Sequence, residues 1–112
     1  MIETIILRYL EEKLDVPAYA ERPEDPDDSY VLIERTASSM ANQIPTATIA
    51  IQCYAKTLLA AAVLCEDVME SMADAIELPE ISRCEINSAY NFTNTATKEY
   101  RYQAVFDLTY FE

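Results

Sequence analysis

No glycine occurs anywhere in the 112 residues. At average usage a chain of this length would carry roughly eight. Glycine is the residue that reaches left-handed backbone geometry without steric cost, so the turns of this chain must be made by Asn, Asp, Ser and Pro. The omission also removes every phosphate-binding loop that depends on glycine, both the dinucleotide fingerprint and the nucleotide-triphosphate loop.

The hydrophobic patterning then divides the chain into elements. Ile2, Ile5, Ile6, Tyr9, Leu10 and Leu14 recur at helical spacing with Glu3, Arg8, Glu11 and Glu12 opposite, which predicts an amphipathic helix over 2–14. Asp15 and Pro17 stop it, because proline disfavours helical geometry in the residue before it and offers no N–H. The stretch 17–29 holds Pro17, Pro23 and Pro26 among charges and reads as an extended surface connector. "YVLIER" (30–35) is a short apolar run suited to a strand, and "TASSMANQIP" after it reads as a polar loop that projects from the fold.

"ATIAIQCY" alternates cleanly, with Ala47, Ile49, Ile51 and Cys53 on one face and Thr48, Ala50, Gln52 and Tyr54 on the other. A second helix is expected over about 56–77, with an apolar stripe through Ala61, Cys65, Val68 and Met72 and a solvated acidic stripe through Glu66, Glu70, Asp74 and Glu77. Pro79 ends it. "ISRCEINSAYNF" and "EYRYQAVFDLTYF" are two strands of about ten residues joined at "TNTATK", a hairpin roughly 30 Å long whose outer half is expected to need a partner.

The predicted fold class is therefore α+β in the order α-β-β-α-β-β: an antiparallel four-stranded sheet, two helices packed on one face, and a long C-terminal β-hairpin. Residues 1–112 read as one domain, since a chain of this length buries a single modest core unaided and 51% of its residues are hydrophobic. No run approaches the ~18 apolar residues of a membrane span, and no secretory signal precedes the first helix, so a reducing cytoplasm is expected. Cys53, Cys65 and Cys84 agree with that setting, being odd in number and set among apolar neighbours as packing residues.

Chemistry is poorly provided for. Histidine is absent, which removes the commonest general base and transition-metal ligand. The loop carboxylates Glu24, Asp25, Asp27 and Asp28 have the ligand type calcium takes, but three prolines stiffen the segment and no glycine or twelfth-position glutamate completes an EF-hand. Ser38, Ser39 and Ser82 have no histidine or nucleophile elbow, and twenty acids always contain some pair at a glycosidase-like separation. No enzyme activity, cofactor or metal is expected.

The net charge of −12 disfavours direct DNA binding, because a duplex carries a charge every ~1.7 Å and would be repelled. Aromatics on the hairpin lack the basic surround of a base-stacking platform and are assigned to packing. Arg83 and Arg101 are either interface cations or cross-strand partners of Glu85 and Glu99.

The segments "VPAYAERPEDPDDSYVLIERT" (16–36), "ATIAIQCYAKTL" (47–58) and "YNFTNTATKEYRYQAVFDLTYF" (90–111), taken in order with the helices between them, resemble the tail-terminator or tail-completion proteins of long-tailed bacteriophages and prophages. The resemblance implies a structural subunit that forms a ring, commonly a hexamer, on the last ring of the tail tube and meets the head connector. Partners would then be further copies of the chain, tail-tube and connector proteins, and DNA passing without specific binding, with no membrane. The setting would be the host cytoplasm during assembly and the virion tail afterwards.

Contacts are expected from the acidic arm (Glu24, Asp25, Asp27, Asp28), the projecting loop (Ser38, Ser39, Asn42, Gln43), the hairpin tip (Thr93, Asn94, Thr95, Lys98), and Arg83 and Arg101. The alternative from another class is an acidic inhibitor that imitates DNA and blocks a nucleic-acid-binding protein. An acidic lumen along a DNA channel and an acidic mimic place the same charges to different ends.

Overall fold

The computed structural model describes residues 1–41 and 43–111; of Ala41 only the backbone is described. Helix α1 (Ile2–Lys13) ends where expected: Leu14 turns to extended geometry while its N–H still reaches Leu10 O at 2.8 Å. A two-residue strand β1 (Ala18–Tyr19) follows, then β2 (Tyr30–Ala41), β3 (Ile44–Ala55), α2 (Leu58–Ala73), a 3-10 turn (Ala75–Glu77), β4 (Ile81–Asn91) and β5 (Tyr100–Tyr110). Thr57 caps α2, its Oγ1 accepting from the Ala60 N–H at 3.1 Å.

The sheet corrects the predicted architecture. It has five strands, not four, in the order β1-β2-β3-β5-β4, and it is mixed, not antiparallel, because β1 runs parallel to β2. Pro17 supplies the reason: its carbonyl accepts from Val31 N–H at 3.0 Å, and Ala18 is buried against the α1 side of the sheet. Two residues give no periodicity to read in the sequence.

A second correction concerns "TASSMANQIP". It is not a loop: β2 runs on to Ala41 and pairs with β3 down to Ala41↔Ile44. Before Ile44, Gln43 holds φ at 65°, a geometry that glycine usually takes. Lys98, at φ 55°, does the same work before β5. Neither was among the turn-forming residue types that the composition pointed to.

The third correction is to the C-terminal hairpin. β5 is interior, paired with β3 from Thr46↔Thr109 to Ala55↔Tyr100 and with β4 on its other side, so only the tip leaves the sheet. The edge strands are β4 and, beyond the two residues that β1 covers, β2.

The helices lie on one side of this sheet, and the core sits between. Ile2, Ile6 and Leu10 of α1 and Ala61, Cys65, Val68 and Met72 of α2 close over Val31, Ile33, Ile49, Ile51, Ala104, Phe106 and Leu108. Each of the larger aliphatic side chains contributes about 1.5–3 kcal/mol by leaving water. Tyr9 ties the helices together, its hydroxyl donating to Ser71 O at 2.6 Å.

Candidate interaction surface

The side of the sheet away from the helices carries the densest polar network. Tyr30 and Tyr54, opposite each other on β2 and β3, stack with ring centroids 4.6 Å apart and planes 6° from parallel. Tyr54 Oη donates to Gln52 Oε1 at 2.8 Å and accepts from an Arg101 guanidinium N–H at 2.8 Å. Gln52 Nε2 donates to Gln103 Oε1 at 3.0 Å, and Gln103 Nε2 donates in turn to the Tyr90 hydroxyl. Both glutamines are buried although no helix covers this face. The ring layer above them excludes water, and the amide chain satisfies the groups it traps.

Arg101 is committed within the subunit. Its Nε donates to Phe92 O at 2.7 Å and its guanidinium lies 4.5 Å from the Phe92 ring centroid. It is therefore neither a free interface cation nor the partner of Glu99. That role falls to Arg22 of the acidic arm, which bonds Glu99 and lies over the Tyr54 ring. The bond from Arg22 holds the Glu99 carboxyl below its ordinary value. Sequence reasoning missed Arg22, Gln52, Gln103 and Tyr54 as a unit. The alternation of β3 did put Gln52 and Tyr54 on one face.

The predicted contact residues fall at the two ends of a molecule 44 Å long. At the arm end, Glu24, Asp25, Asp27 and Asp28 are exposed, and Asp28 pairs with Lys56 at 3.2 Å. The hairpin tip lies at this same end. Thr93 Oγ1 accepts from Arg101 N–H at 3.2 Å, Asn94 bridges to Glu99 and caps Ala96 N–H at 3.1 Å, and Thr95 and Lys98 are exposed.

At the turn end lie Ser38, Ser39, Gln43 and Arg83; Asn42 lies outside the described residues. Ser39 Oγ is 3.0 Å from Thr46 Oγ1, and Arg83 donates to Glu85 Oε1 on its own strand, at 2.9 and 2.6 Å. Between them an open groove of about 330 Å³ runs over Ser39, Thr46, Thr48 and Asp107. Asp107 accepts there from Thr48 Oγ1 at 2.9 Å and Asn87 Nδ2 at 3.0 Å.

Carboxylates outnumber bases on both sides of the sheet, most strongly on the helix side. On the helix side, segments 2–15 and 58–80 hold ten carboxylates against Arg8 and Lys13, with Arg35 of β2 paired to Glu3 at 3.4 Å. On the sheet side, Arg83 and Arg101 stand among Glu34, Glu85, Glu99 and Asp107, and the arm that reaches this side through Arg22 adds Glu21, Glu24, Asp25, Asp27 and Asp28. Among the described residues, no three His, Cys, Asp or Glu side chains come close enough to hold a metal ion, and no helix is long and apolar enough to cross a membrane. Comparison with known proteins gives no family: no protein-family model matches the chain and no curated protein matches it.

Proposed function

We propose that this chain is a structural subunit that assembles with its own copies into a ring of the phage tail-terminator type, capping a tail tube and joining it to the head connector. The observation that carries this reading is the pair of unlike sheet edges. β2 and β4 stand at opposite sides of one sheet and run in opposite directions, so the β4 edge of one copy meets the β2 edge of the next in antiparallel sense. Contacts between two different surfaces are heterologous and close into rings when the rotation allows.

The carboxylate-rich helix side supports the same reading. A helix side rich in carboxylates gives a ring one repulsive surface for passing DNA, while the polar network and Arg83–Glu85 pair of the sheet side offer polar contacts for tube and connector. The same carboxylate-rich side favours a second reading, a DNA-mimic inhibitor, which needs no edge contacts.

Light scattering coupled to gel filtration over a wide concentration range separates the two. A discrete species of several subunits, or a concentration-driven step toward one, is expected of the ring subunit. A monomer throughout the range that also fails to bind purified tail tubes overturns it.

A further inference from the structure

We infer that the contact between neighbouring copies is a main-chain pairing of Ala37–Ala41 on β2 with Arg83–Ile86 on β4, locked by Met40 seated in an apolar groove beneath the partner's β4. The inference rests on the ring reading and specifies its interface.

The hydrogen-bonding phase of each edge fixes which groups are free. Val31 N–H points away from β3, to Pro17 O at 3.0 Å, so Val31↔Cys53 is a non-hydrogen-bonded pair and the even-numbered residues of β3 bond toward β2. Carried past the bulge between Arg35 and Ala37, that phase bonds Ala37 and Ser39 inward to Thr48 and Thr46. Ser38 and Met40 are left with N–H and C=O directed outward.

On the other edge, Phe92 N–H donates to Arg101 O at 2.9 Å, so odd-numbered residues of β5 bond toward β4. Arg83 and Glu85 face Thr109 and Asp107 and bond inward, whereas Cys84 and Ile86, opposite Leu108 and Phe106, point their main-chain groups outward. The two free segments are the regular runs beside the bulges, and neither contains proline or lysine, the residues that commonly guard an edge.

Side-chain direction agrees with the pairing. Ser38 lies opposite Ala47, and Cys84 and Ile86 opposite Leu108 and Phe106, all on the helix side. Opposed residues of an antiparallel pair share a face: the pairing sets Ser38 opposite Ile86 and Met40 opposite Cys84 of the adjacent copy, with Ile86 a diagonal neighbour of Met40 on that side. Met40 is 65% exposed and Ile86 52% exposed in the single subunit. Beneath Ile86, between α2 and β4, runs a groove of about 290 Å³ lined by Met69, Met72, Ala73, Cys84, Ile86 and Phe106. A protruding methionine matches an open apolar groove of this kind, because its unbranched thioether adapts to irregular walls.

A cross-linking experiment on the intact chain tests this. The double variant Ser38→Cys/Ile86→Cys, whose two positions face each other in this pairing, is oxidised with a copper catalyst, with each single variant and the wild type as controls, after circular dichroism shows unaltered folding. A covalent ladder reaching the mass that light scattering gives for the wild type is expected from the double variant. Met40→Asp is expected to raise the concentration midpoint of assembly about tenfold or more.

If the wild type assembles but the double variant gives no ladder, the edge pairing is wrong and the ring reading stands on other contacts. Dimers alone, formed equally by Ile86→Cys, would show symmetric β4–β4 association and overturn the pairing. Absence of both ladder and wild-type assembly, with no binding to tail tubes, overturns the pairing and the ring reading together.

Discussion

Arg22, in the acidic arm, bonds Glu99, the residue just before β5, across 77 positions of sequence. The bond latches the arm to the hairpin tip, and the guanidinium lies over Tyr54 between them. Because the folded pKa of Glu99 is depressed below 4.5, the latch contributes fully above that value and is lost as pH falls through the folded pKa. Arg22→Ala should therefore lower the melting temperature near neutrality. The difference from wild type should hold near neutrality and shrink as pH falls below the ordinary carboxylate range and through the depressed pKa of Glu99. A difference constant with pH would assign the effect to packing on Tyr54. Arg22 is half exposed, so a small effect is expected.

The glutamine pair should show the asymmetry of buried hydrogen bonds. Gln52→Leu strands the Gln103 amide oxygen and removes the acceptor of the Tyr54 hydroxyl, and should cost about 1–3 kcal/mol in urea unfolding. The Gln52→Leu/Gln103→Leu double variant should lose less than the sum of the two singles, since the two side chains share one bond. Strict additivity would show that the pair does not act as a unit.

Gln43→Gly and Lys98→Gly should each stabilise the fold. Both native residues hold positive φ, at 65° and 55°, where a side chain costs roughly 1–2 kcal/mol and glycine costs nothing sterically. After the greater chain entropy of glycine is subtracted, a gain of roughly 0.5–1 kcal/mol remains for each. Chemical denaturation measures it, and a loss of stability would point to side-chain contacts outweighing the backbone term.

The hairpin tip can be tested apart from the sheet edges. Replacing Asn94 through Thr97 by an Asn-Gly turn leaves β3, β4 and β5 paired below it and should preserve the fold. If the tip contacts neighbouring proteins, assembly or tube binding should be abolished. Unchanged assembly and tube binding would reject a contact role for Thr93, Asn94, Thr95 and Lys98.

The acidic arm has its own test. Millimolar calcium should leave the melting temperature unchanged if Glu24, Asp25, Asp27 and Asp28 serve as a solvated or partner-facing arm, of which Asp28 is already paired with Lys56. A rise of several degrees would mark a specific cation site.

What was legible in the sequence was what local periodicity writes. The amphipathic spacing of Ile2, Ile6, Tyr9 and Leu10, the alternation from Ala47 to Tyr54, and the prolines at 17 and 79 place both helices, the centre of the sheet and their ends within a few residues. The outer half of β2 was not legible. "TASSM" has no apolar alternation because neither of its faces is buried in the subunit, and no glycine in the sequence marks the end of the strand. β1 was invisible for a different reason, since a two-residue strand exists only through its partner.

The contact surface divides in the same way. Composition alone determined the charge of −12, the absence of histidine and glycine, and with them the exclusion of glycine-dependent phosphate loops. Only the tertiary structure decided that Arg101 turns inward to Tyr54, that Arg22 takes Glu99, that β5 is interior, and that β2 and β4 carry the open edges. Side-chain pattern is a property of neighbours in sequence, whereas strand order and ion-pair choice depend on which distant segments arrive side by side. That arrangement is fixed by closing the core, not by any residue in the arm or on the edges.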